Sequence, residues 1–546
     1  MKLVNFSTAA FGLSLVGAGI AAPTGSNDFK TQCLQFAPEK HLENVTRTRL
    51  DYLKPGTNLT YPDYPESCNA MEPSIIEQET CRIGLIIPTS NRSSIKFEAW
   101  FPKDWNGRYL ATGNGGIGGC IQYYDVSYAS NHGFATVASN NGHDGQAGIS
   151  FLNNPDVTED FAYRALHTET VSGKVLEKAF YGKKHNKSYY LGCSTGGRQG
   201  IAMAERYPEN FDGIVAGSPA VDFNHLQSWS ARFYTIVGSA NSSDFIARET
   251  WSGLIHDEIM KQCDELDGVK DGIITDPSMC QFKPETLLCS KKQMEKKSYA
   301  SKNATCLTPT QVEKVKQVFS PYYGADGELK YPSMQPGSEV LASKLMYNGQ
   351  PFLYSKDWFR YAVWNDSSWD PASFNLTDLE AVDKVNPGGV QTWPKNFSGF
   401  QSAGGKMISY HGQQDALISS FNTPRLYDHI AKSMGLTYSD LEDFWRFFRI
   451  PGMDHCHGGP GASAFGQAGL VGTKEVPFTP ERNVLAAMIA WVENGTAPDT
   501  ITGTKFKDTD AKKGVEYTRK HCRYPLRSTY VGNGYDTTSE EMWACL

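Results

Sequence analysis

Residues 189–200 read Tyr-Tyr-Leu-Gly-Cys-Ser-Thr-Gly-Gly-Arg-Gln-Gly, and this stretch decides the fold. A strand-forming aromatic run enters a Gly-x-Ser-x-Gly turn centred on Ser194, and a helical pattern follows over 201–206. A serine at such a strand–turn–helix junction is lifted clear of the sheet, and small neighbours avoid clashes in the strained turn. The sequence therefore predicts Ser194 as a nucleophile. A glycine-rich loop with an incidental serine is the alternative.

A serine hydroxyl needs a base and an orienting carboxylate, and two later strand ends supply both. Asp415 follows a predicted strand at 406–410, in the loop His-Gly-Gln-Gln-Asp. His455 follows a strand predicted over 444–450, in the loop Pro-Gly-Met-Asp-His-Cys-His. The chain order Ser, Asp, His is that of α/β-hydrolases. Ser194, Asp415 and His455 are therefore predicted to form a catalytic triad.

Three nearby side chains compete for these roles. Asp454 is adjacent to His455 in sequence and is poorly placed to reach back to its ring. His457 could replace His455 as the base, and His411 could be a second histidine of the site. A zinc site built from these three histidines and Cys456 is disfavoured, because consecutive ligands rarely point at one ion.

Two cysteines flank the predicted nucleophile and base. Cys193 directly precedes Ser194, and Cys456 directly follows His455. A bridge between them would hold their α-carbons about 5.5 Å apart and bring serine and histidine within hydrogen-bonding range. This placement favours His455 over His457 as the base. Two unrelated buried cysteines are the alternative.

The composition describes a large globular chain. Its 546 residues exceed one ordinary core, so two or more packed units, or one core with a large insertion, are expected. Aromatic residues make up 12% of the chain, enough to fill a large interior. The net charge of −7 argues against nucleic acid or an anionic membrane as a partner. Whether the chain forms a homodimer stays open.

The amino terminus is predicted to be a signal peptide over residues 1–21, with Lys2 before an apolar run at 9–20 and small residues after it. Cleavage is expected after Ala21, because a proline directly after the cut is unfavourable. All twelve cysteines follow the signal, as expected for a secreted, extracellular chain with up to six bridges. Candidate glycosylation sites, each an Asn-x-Ser/Thr, are Asn44, Asn58, Asn91, Asn186, Asn241, Asn303, Asn365, Asn375, Asn396 and Asn494.

Predicted strands alternate with predicted helices around Ser194. Strands are expected at 83–87, 95–100, 108–112, 134–138 and 213–217, and helices at 159–180 and 484–492. This alternation predicts an α/β fold with a mostly parallel sheet and helices on both faces. It stops near Pro219 and resumes near Lys406, and the segment between is interpreted as an inserted lid. The predicted division is a catalytic domain over 22–219 and 400–546, with a lid domain over 220–399.

At these motifs the chain resembles the fungal tannase and feruloyl esterase family, and most of all its feruloyl esterase B members. The resemblance rests on Gly-Cys-Ser-Thr-Gly-Gly at 192–197, on Asp415 in its His-Gly-x-x-Asp loop, and on Gly-Met-Asp-His-Cys at 452–456. It implies an α/β-hydrolase core with a lid, the triad Ser194, Asp415 and His455, and the Cys193–Cys456 bridge. It also implies the bridges Cys33–Cys81, Cys68–Cys120, Cys263–Cys280, Cys289–Cys306 and Cys522–Cys545.

The acidic loop at 263–273, Cys-Asp-Glu-Leu-Asp-Gly-Val-Lys-Asp-Gly-Ile, suggests a calcium site. Crowded carboxylates are hard ligands that suit calcium, and glycines let backbone carbonyls complete the shell. The spacing is not that of an EF-hand, and a solvated acidic turn is the alternative. By resemblance, the ligands would be the side chains of Asp264, Asp267 and Asp271 and the carbonyls of Val269 and Ile273. Such calcium would be structural, and no catalytic cofactor is expected.

The expected chemistry is two-step acyl transfer at an ester. His455 would take the proton as Ser194 attacks, and Asp415 would stabilise the imidazolium. Backbone amides of Thr195 and of the turn at Gly115 and Gly116 are expected to bind the oxyanion. The alcohol leaves first, and water then frees the acid.

The resemblance implies phenolic ester substrates. Feruloyl esters of plant cell-wall polysaccharides are favoured by chain length and a compact lid, and gallate esters of tannins are the alternative. A non-catalytic secreted calcium-binding protein on a hydrolase fold is a second alternative, which the intact Ser, Asp and His disfavour. Lid aromatics could form a slot for a phenolic ring, although most are expected in the lid core. They are Trp229, Phe233, Tyr234, Trp251, Trp358, Phe359, Tyr361, Trp364 and Trp369.

Overall fold

A computed structural model describes residues 28–68, 72–296, 304–467, 475–532 and 536–546. The predicted signal peptide and the sequon at Asn303 lie outside the described residues. The strands are β1 (Thr46–Leu53), β2 (Asn58–Leu59), β3 (Ser74–Ile75), β4 (Thr80–Pro88), β5 (Ser94–Pro102), β6 (Arg108–Thr112), β7 (Ala135–Ser139), β8 (Lys187–Cys193), β9 (Gly213–Gly217), β10 (Tyr322–Tyr323), β11 (Leu329–Tyr331), β12 (Lys406–Gly412), β13 (Trp445–Ile450), β14 (Thr500–Phe506), β15 (Val515–Cys522), β16 (Ser528–Tyr530) and β17 (Trp543–Cys545).

Helices cover both faces of the main sheet and fill the segment between β9 and β12. The α-helices are α1 (Phe29–Gln35), α2 (Tyr123–Asn131), α3 (Pro155–Glu159), α4 (Ala165–Tyr181), α5 (Thr195–Arg206), α6 (Phe223–Val237), α7 (Arg248–Thr250), α8 (His256–Cys263), α9 (Lys291–Glu295), α10 (Pro309–Val318), α11 (Glu339–Leu345), α12 (Leu353–Asp357), α13 (Leu376–Val385), α14 (Ser398–Ser402), α15 (Asn422–Met434), α16 (Tyr438–Glu442) and α17 (Val484–Asn494). Turns of π-helix occupy Asp160–Arg164, Trp251–Ile255 and Trp358–Val363.

A nine-stranded sheet, counted over the described residues, forms the centre of the molecule. Its strand order is β1-β4-β5-β7-β6-β8-β9-β12-β13. The first four strands pair antiparallel, and every pair from β7 to β13 is parallel. The predicted α/β fold with a mostly parallel sheet is therefore confirmed. The edge strand β1 lies outside the predicted strands, because its largely polar, half-exposed sequence carries little strand signal.

Strand β8 is held between apolar clusters on the two faces of the sheet. Tyr190 packs in a cluster with Leu166 of α4, whereas Leu191 packs in a cluster with Leu485 of α17. Consecutive residues of a strand point to opposite faces, so both helices fix the strand. The residue after Cys193 is consequently presented on a rigid support at the carboxyl edge of the sheet.

The segment between β9 and β12 is mainly helical and has an apolar cluster of its own. Trp229, Trp251 and Trp358 are fully buried in this cluster. It also takes in Phe161, which comes before β8, and Ile418, which follows β12. The segment therefore packs directly against the loops at the carboxyl edge of the sheet.

All twelve cysteines lie among the described residues and form six disulfides. The pairs are Cys33–Cys81, Cys68–Cys120, Cys193–Cys456, Cys263–Cys280, Cys289–Cys306 and Cys522–Cys545, as the resemblance implies. In the part of the chain that the structure describes, no helix combines the length and apolar character needed to cross a bilayer.

Candidate active site

Ser194 lies between β8 and α5 in a strained backbone conformation, with φ 65° and ψ −123°. Its amide donates a hydrogen bond of 2.9 Å to the carbonyl of Gly217, at the end of the neighbouring strand. A Cβ atom at Gly192 would lie 2.6 Å from the hydroxyl oxygen of Tyr190, and one at Gly197 would lie 2.3 Å from the carbonyl oxygen of Gly217. These two glycines allow the close packing that holds the strained serine in place.

Asp415 is fully buried after β12, and its two carboxylate oxygens have separate partners. Oδ1 accepts hydrogen bonds from the amides of Leu417 at 2.8 Å and Ile418 at 3.0 Å, and Oδ2 lies 2.7 Å from Nδ1 of His455. Burial alone would raise the pKa of Asp415, but the charges of His455 and His411 and their hydrogen bonds hold it well below its usual range. Asp415 therefore stays ionised and orients His455 with Nε2 available to a hydroxyl group.

His411 is a second, fully buried histidine on the same carboxylate. Its Nε2 lies 3.2 Å from Oδ2 of Asp415, and its Nδ1 lies 2.6 Å from Oγ1 of Thr423. The ring supports Asp415 from the interior, whereas His455 lines the cavity described below. The contact with Thr423 of α15 holds the His411 ring in this position, and no local sequence pattern predicts that contact.

The bridge Cys193–Cys456 joins the end of β8 to the loop after β13, although these strands are not neighbours in the sheet. Its α-carbons are 6.1 Å apart. Ser194 and His455 are each adjacent in sequence to a bridged cysteine, so the bridge brings their two loops to the same place.

A cavity of 370 Å³ opens at this edge of the sheet, with Ser194 and His455 in its wall. Its lining includes the polar side chains Tyr64, Gln122, Tyr124, Asp125, Gln146 and His457. A narrow apolar cleft adjoins it and is lined by Phe223, Leu226, Phe352 and Ile418, with Gln227 and Ser230 as polar members. Ser194, Gly116, Tyr354 and Leu417 line both spaces, so the serine stands where they meet.

The nine lid aromatics named from the sequence do not line this cavity or the cleft, as far as the described residues show. Most of them are buried in or pack against the cluster of the inserted segment. The sequence-based idea of a slot made from these rings is therefore wrong, because an inserted segment needs them for its own interior. The rings at the site are Tyr64, Tyr124, Phe223, Phe352 and Tyr354.

The three residues predicted for the oxyanion site lie beside Ser194. Gly115 and Gly116 line the cavity, and the hydroxyl of Thr195 donates to the carbonyl of Gly116. The amide of Asn114 donates to Oε1 of Gln199 at 3.0 Å, which ties the glycine loop to α5 and was not foreseen from sequence. Among the described residues, the amides of Gly115 and Gly116 donate no hydrogen bond, and that of Thr195 has no intrahelical partner at the first helical position.

The two rival residues in the histidine loop have other surroundings. His457 lines the cavity, but in the described residues no hydrogen bond joins it to a carboxylate. Asp454 is partly buried, and burial together with the charge of Asp415 raises its pKa to about 6. Neither residue reproduces the contact of 2.7 Å between His455 and Asp415.

The acidic loop is closed by the bridge Cys263–Cys280, and each aspartate of interest accepts a hydrogen bond from a loop amide. The pairs are Asp264 with Gly272, Asp267 with Val269 and Asp271 with Ile273. Burial raises the pKa of Asp264 and of Asp267, and the charge of Asp271 adds to both shifts. The loop thus holds three carboxyl groups that repel one another.

Three observations bear on a cation in this loop. Oδ2 of Asp267 is buried and, within the described residues, has no hydrogen-bond partner. Arg519 donates to Oδ2 of Asp271 at 2.9 Å and partly neutralises that carboxylate. Over the described ranges, no group of three or more histidine, cysteine, aspartate or glutamate side chains is arranged to hold a metal ion. The oxygen donors of this loop suit calcium, but the carboxylate groups would have to move closer together to bind the ion.

The fold and the site together define a class. The chain is an α/β protein whose mostly parallel sheet carries, at its carboxyl edge, a strained serine and a histidine hydrogen-bonded to a buried aspartate. This constellation is typical of serine hydrolases, in which the three residues stand after separate strands.

The chain belongs to the tannase and feruloyl esterase family, whose sequence profile matches residues 81–545. It is 51% identical over 516 residues to the probable feruloyl esterase B-2 of Aspergillus flavus, covering 94% of this chain and 97% of that protein. The solved structure of feruloyl esterase B from Aspergillus oryzae is 46% identical, with a TM-score of 0.90 over 95% of this chain and 100% of that one. The resemblance predicted from the motifs is therefore confirmed.

A more distant structure shares the fold. Tannin acyl hydrolase from Aspergillus niger has a TM-score of 0.70 at 20% identity, and the match covers 94% of each chain. At this identity the likeness concerns architecture alone.

Proposed function

We propose that the chain is a secreted carboxylic ester hydrolase that releases ferulic and related hydroxycinnamic acids from esters on plant cell-wall polysaccharides. The observation that carries the proposal is the contact of 2.7 Å between His455 and Asp415, in a cavity that Ser194 shares. The substrate class is supported by near full-length similarity to proteins named feruloyl esterase B. Tannins are the alternative substrate within the same family.

The proposed mechanism uses side chains already in place. As Ser194 attacks the ester carbonyl, His455 takes the serine proton through Nε2, and the ionised Asp415 stabilises the imidazolium. The amides of Thr195, Gly115 and Gly116, which have no hydrogen-bond acceptor among the described residues, would bind the oxyanion. His455 then protonates the leaving alcohol, and water activated by the same ring releases the acid.

The proposed architecture is an α/β-hydrolase core over 22–219 and 400–546, with residues 220–399 as a lid. The order of the strands and the placement of Ser194, Asp415 and His455 after β8, β12 and β13 support the core. The apolar cluster formed mainly by residues of the inserted segment supports the lid. The apolar cleft under α6, which has a volume of 30 Å³ in this structure, would widen to take the acyl ring, and the polar cavity would take the alcohol.

Ferulate is expected to be preferred over gallate because of the cleft. Gallate presents three hydroxyl groups, and burying them without partners is costly. The apolar cleft residues Phe223, Leu226 and Phe352 offer them none, which leaves Gln227 and Ser230 as the polar members for three hydroxyl groups. We expect kcat/KM for methyl ferulate to exceed that for methyl gallate by at least about tenfold. Initial rates on the two esters measure this ratio, and a strong preference for gallate would reverse the assignment to ferulate.

Secretion with glycosylation is supported by the surface of the molecule. Nine predicted sequon asparagines lie among the described residues, and all nine are exposed. Six disulfides are typical of chains that fold in an oxidising compartment. Both features fit export by the signal peptide predicted over residues 1–21.

Structural calcium in the acidic loop remains part of the proposal. The ion would offset the repulsion among Asp264, Asp267 and Asp271 and would give the buried Oδ2 of Asp267 a partner. The carbonyls of Val269 and Ile273 would complete its shell. No step of the reaction involves this ion.

Removing calcium is expected to lower the midpoint of thermal unfolding by at least about 3 °C, because an ion that binds only the folded state adds stability by mass action. Differential scanning fluorimetry with and without a chelator measures this shift. Asp267→Asn should lower the midpoint without chelator, whereas Glu265→Gln, an exposed carboxylate of the same loop, should not. Elemental analysis that finds no bound calcium would contradict the proposal.

A further inference from the structure

Asp125 is a buried carboxylic acid in the wall of the cavity that contains Ser194 and His455. It lies in the first turn of α2, and its residue surface is 4% exposed. Oδ1 is inaccessible to solvent and has no hydrogen-bond partner. In the described part of the chain, no hydrogen bond or ion pair reaches this carboxyl group.

Another buried carboxylate, which contacts the first residue of this helix, is fully hydrogen-bonded. Glu98 accepts hydrogen bonds from Arg82, Trp100 and Tyr123, and Tyr123 begins α2. Asp125 has no such set of donors. An unpaired carboxyl group in the interior costs stability, and here burial raises its pKa to about 7. Because this unpaired carboxyl group lies in the wall of the catalytic cavity, its missing hydrogen-bond partner points to a group of the bound substrate.

The position of Asp125 in the cavity indicates which half of the ester carries its hydrogen-bond partner. The apolar cleft for the acyl ring lies on one side of Ser194, and Asp125 lines only the polar cavity on the other. Its neighbours there include Gln122, Tyr124 and Gln146, and Oε1 of Gln146 is also buried without a partner. Unsatisfied oxygens beside amides and phenol rings suit a molecule that carries many hydroxyl donors.

A second cavity shares a wall residue with the polar cavity. Tyr64 lines both this cavity and a second one of 220 Å³, which contains Tyr61, Tyr123, Asn140 and Asp144. The rings of Tyr61 and Tyr123 stack with centroids 3.9 Å apart. Two adjoining cavities with aromatic walls and polar side chains offer room for more than one sugar ring.

We propose that Asp125 binds hydroxyl groups of the alcohol half of the ester, and that the polar cavity is a sugar subsite leading past Tyr64 into the second cavity. The inference rests on the proposed function and adds the site of the carbohydrate. Asp125 then acts as a specificity residue that favours sugar esters over simple alkyl esters.

Two esters with the same acyl group test this assignment. The probes are methyl ferulate and a feruloyl arabino-oligosaccharide, and kcat/KM is measured for the parent, Asp125→Ala and Asp125→Asn. Asp125→Ala should lose at least about tenfold on the sugar ester and less than about threefold on methyl ferulate, since only the former loses a hydrogen bond. Asp125→Asn, which keeps a donor and an acceptor, should retain most of the sugar-ester rate.

A matched control separates binding from a general effect of removing a buried acid. Glu169 is a fully buried carboxyl group on α4 that does not line the cavity. Glu169→Gln should leave the ratio of the two kcat/KM values unchanged. An equal loss on both esters in Asp125→Ala, or no loss on either, would overturn the assignment. A parent enzyme that hydrolyses neither ester would instead overturn the proposed function.

A partition measurement covers the case in which Asp125→Ala folds poorly. With methyl ferulate and free arabino-oligosaccharide, a sugar hydroxyl can attack the acyl-enzyme, and its proton passes to His455. The bond from the acyl carbon to the Ser194 oxygen then breaks, His455 returns the proton to that oxygen, and a feruloyl sugar forms. The ratio of feruloyl sugar to ferulic acid does not depend on how much enzyme is folded. We expect at least a fivefold lower ratio in Asp125→Ala, and an unchanged ratio would refute the subsite.

Discussion

Replacing Ser194 by alanine is expected to reduce kcat for methyl ferulate by at least about 10³-fold, while the thermal midpoint shifts little. Alanine keeps the Cβ atom and so keeps the strained turn, but no oxygen remains to form the acyl-enzyme. The pair His455 and Asp415 and the oxyanion amides stay in place, so ester binding should persist. Rates of ferulate release, together with KM, measure the effect.

Two comparisons make this prediction decisive. Ser188→Ala removes a buried serine at the other end of β8, where its hydroxyl donates to Asp212, and should affect stability alone. A serine-directed phosphonate should label the parent and Ser188→Ala but not Ser194→Ala. A Ser194→Ala variant as fast as its parent would remove the whole mechanism, and an unlabelled parent would favour the non-catalytic alternative.

Removing the bridge between Cys193 and Cys456 is expected to have the second largest effect. The double alanine variant should lose about 10²-fold in kcat, because a displacement of about 1 Å between nucleophile and base is enough for such a loss. It should also lose about 2–5 kcal/mol in free energy of unfolding, since the bridge closes a sequence separation of 263 residues. Steady-state kinetics and urea unfolding measure the two losses separately.

The matched control is the bridge Cys522–Cys545, which lies away from the cavity lining. Its double alanine variant should unfold more easily and keep its kcat. If the double alanine variant of Cys193 and Cys456 instead loses stability but keeps kcat, the bridge only stabilises the fold. It then has no part in aligning Ser194 with His455.

The sequence predicts local features of this chain well. Strands β6 and β9 have the predicted bounds, and Ser194 stands on the predicted turn between β8 and α5. The helix predicted over 159–180 is longer, because α3 and a π-helical turn precede α4. Such features depend on neighbours in sequence, so their patterns are visible without the fold.

Contacts between distant segments could not be predicted in the same way. The support of Asp415 by His411 requires Thr423 from α15, and the link of Asn114 to Gln199 requires two separate strand ends to meet. Asp125 belongs to no sequence motif, and only its burial in the cavity wall identifies it as a candidate binding residue. The bridge Cys193–Cys456 is predicted from its placement beside Ser194 and His455. The other five pairings come from the family resemblance, because spacing alone leaves many connectivities open.

The bond between Cys193 and Cys456 also ties activity to the surroundings of the chain. Cytosolic thiol buffers keep cysteines reduced, and in that state nothing covalent would align the serine with its histidine. A copy kept in a reducing compartment is therefore expected to show the lowered kcat of the double alanine variant until the bond forms in an oxidising one.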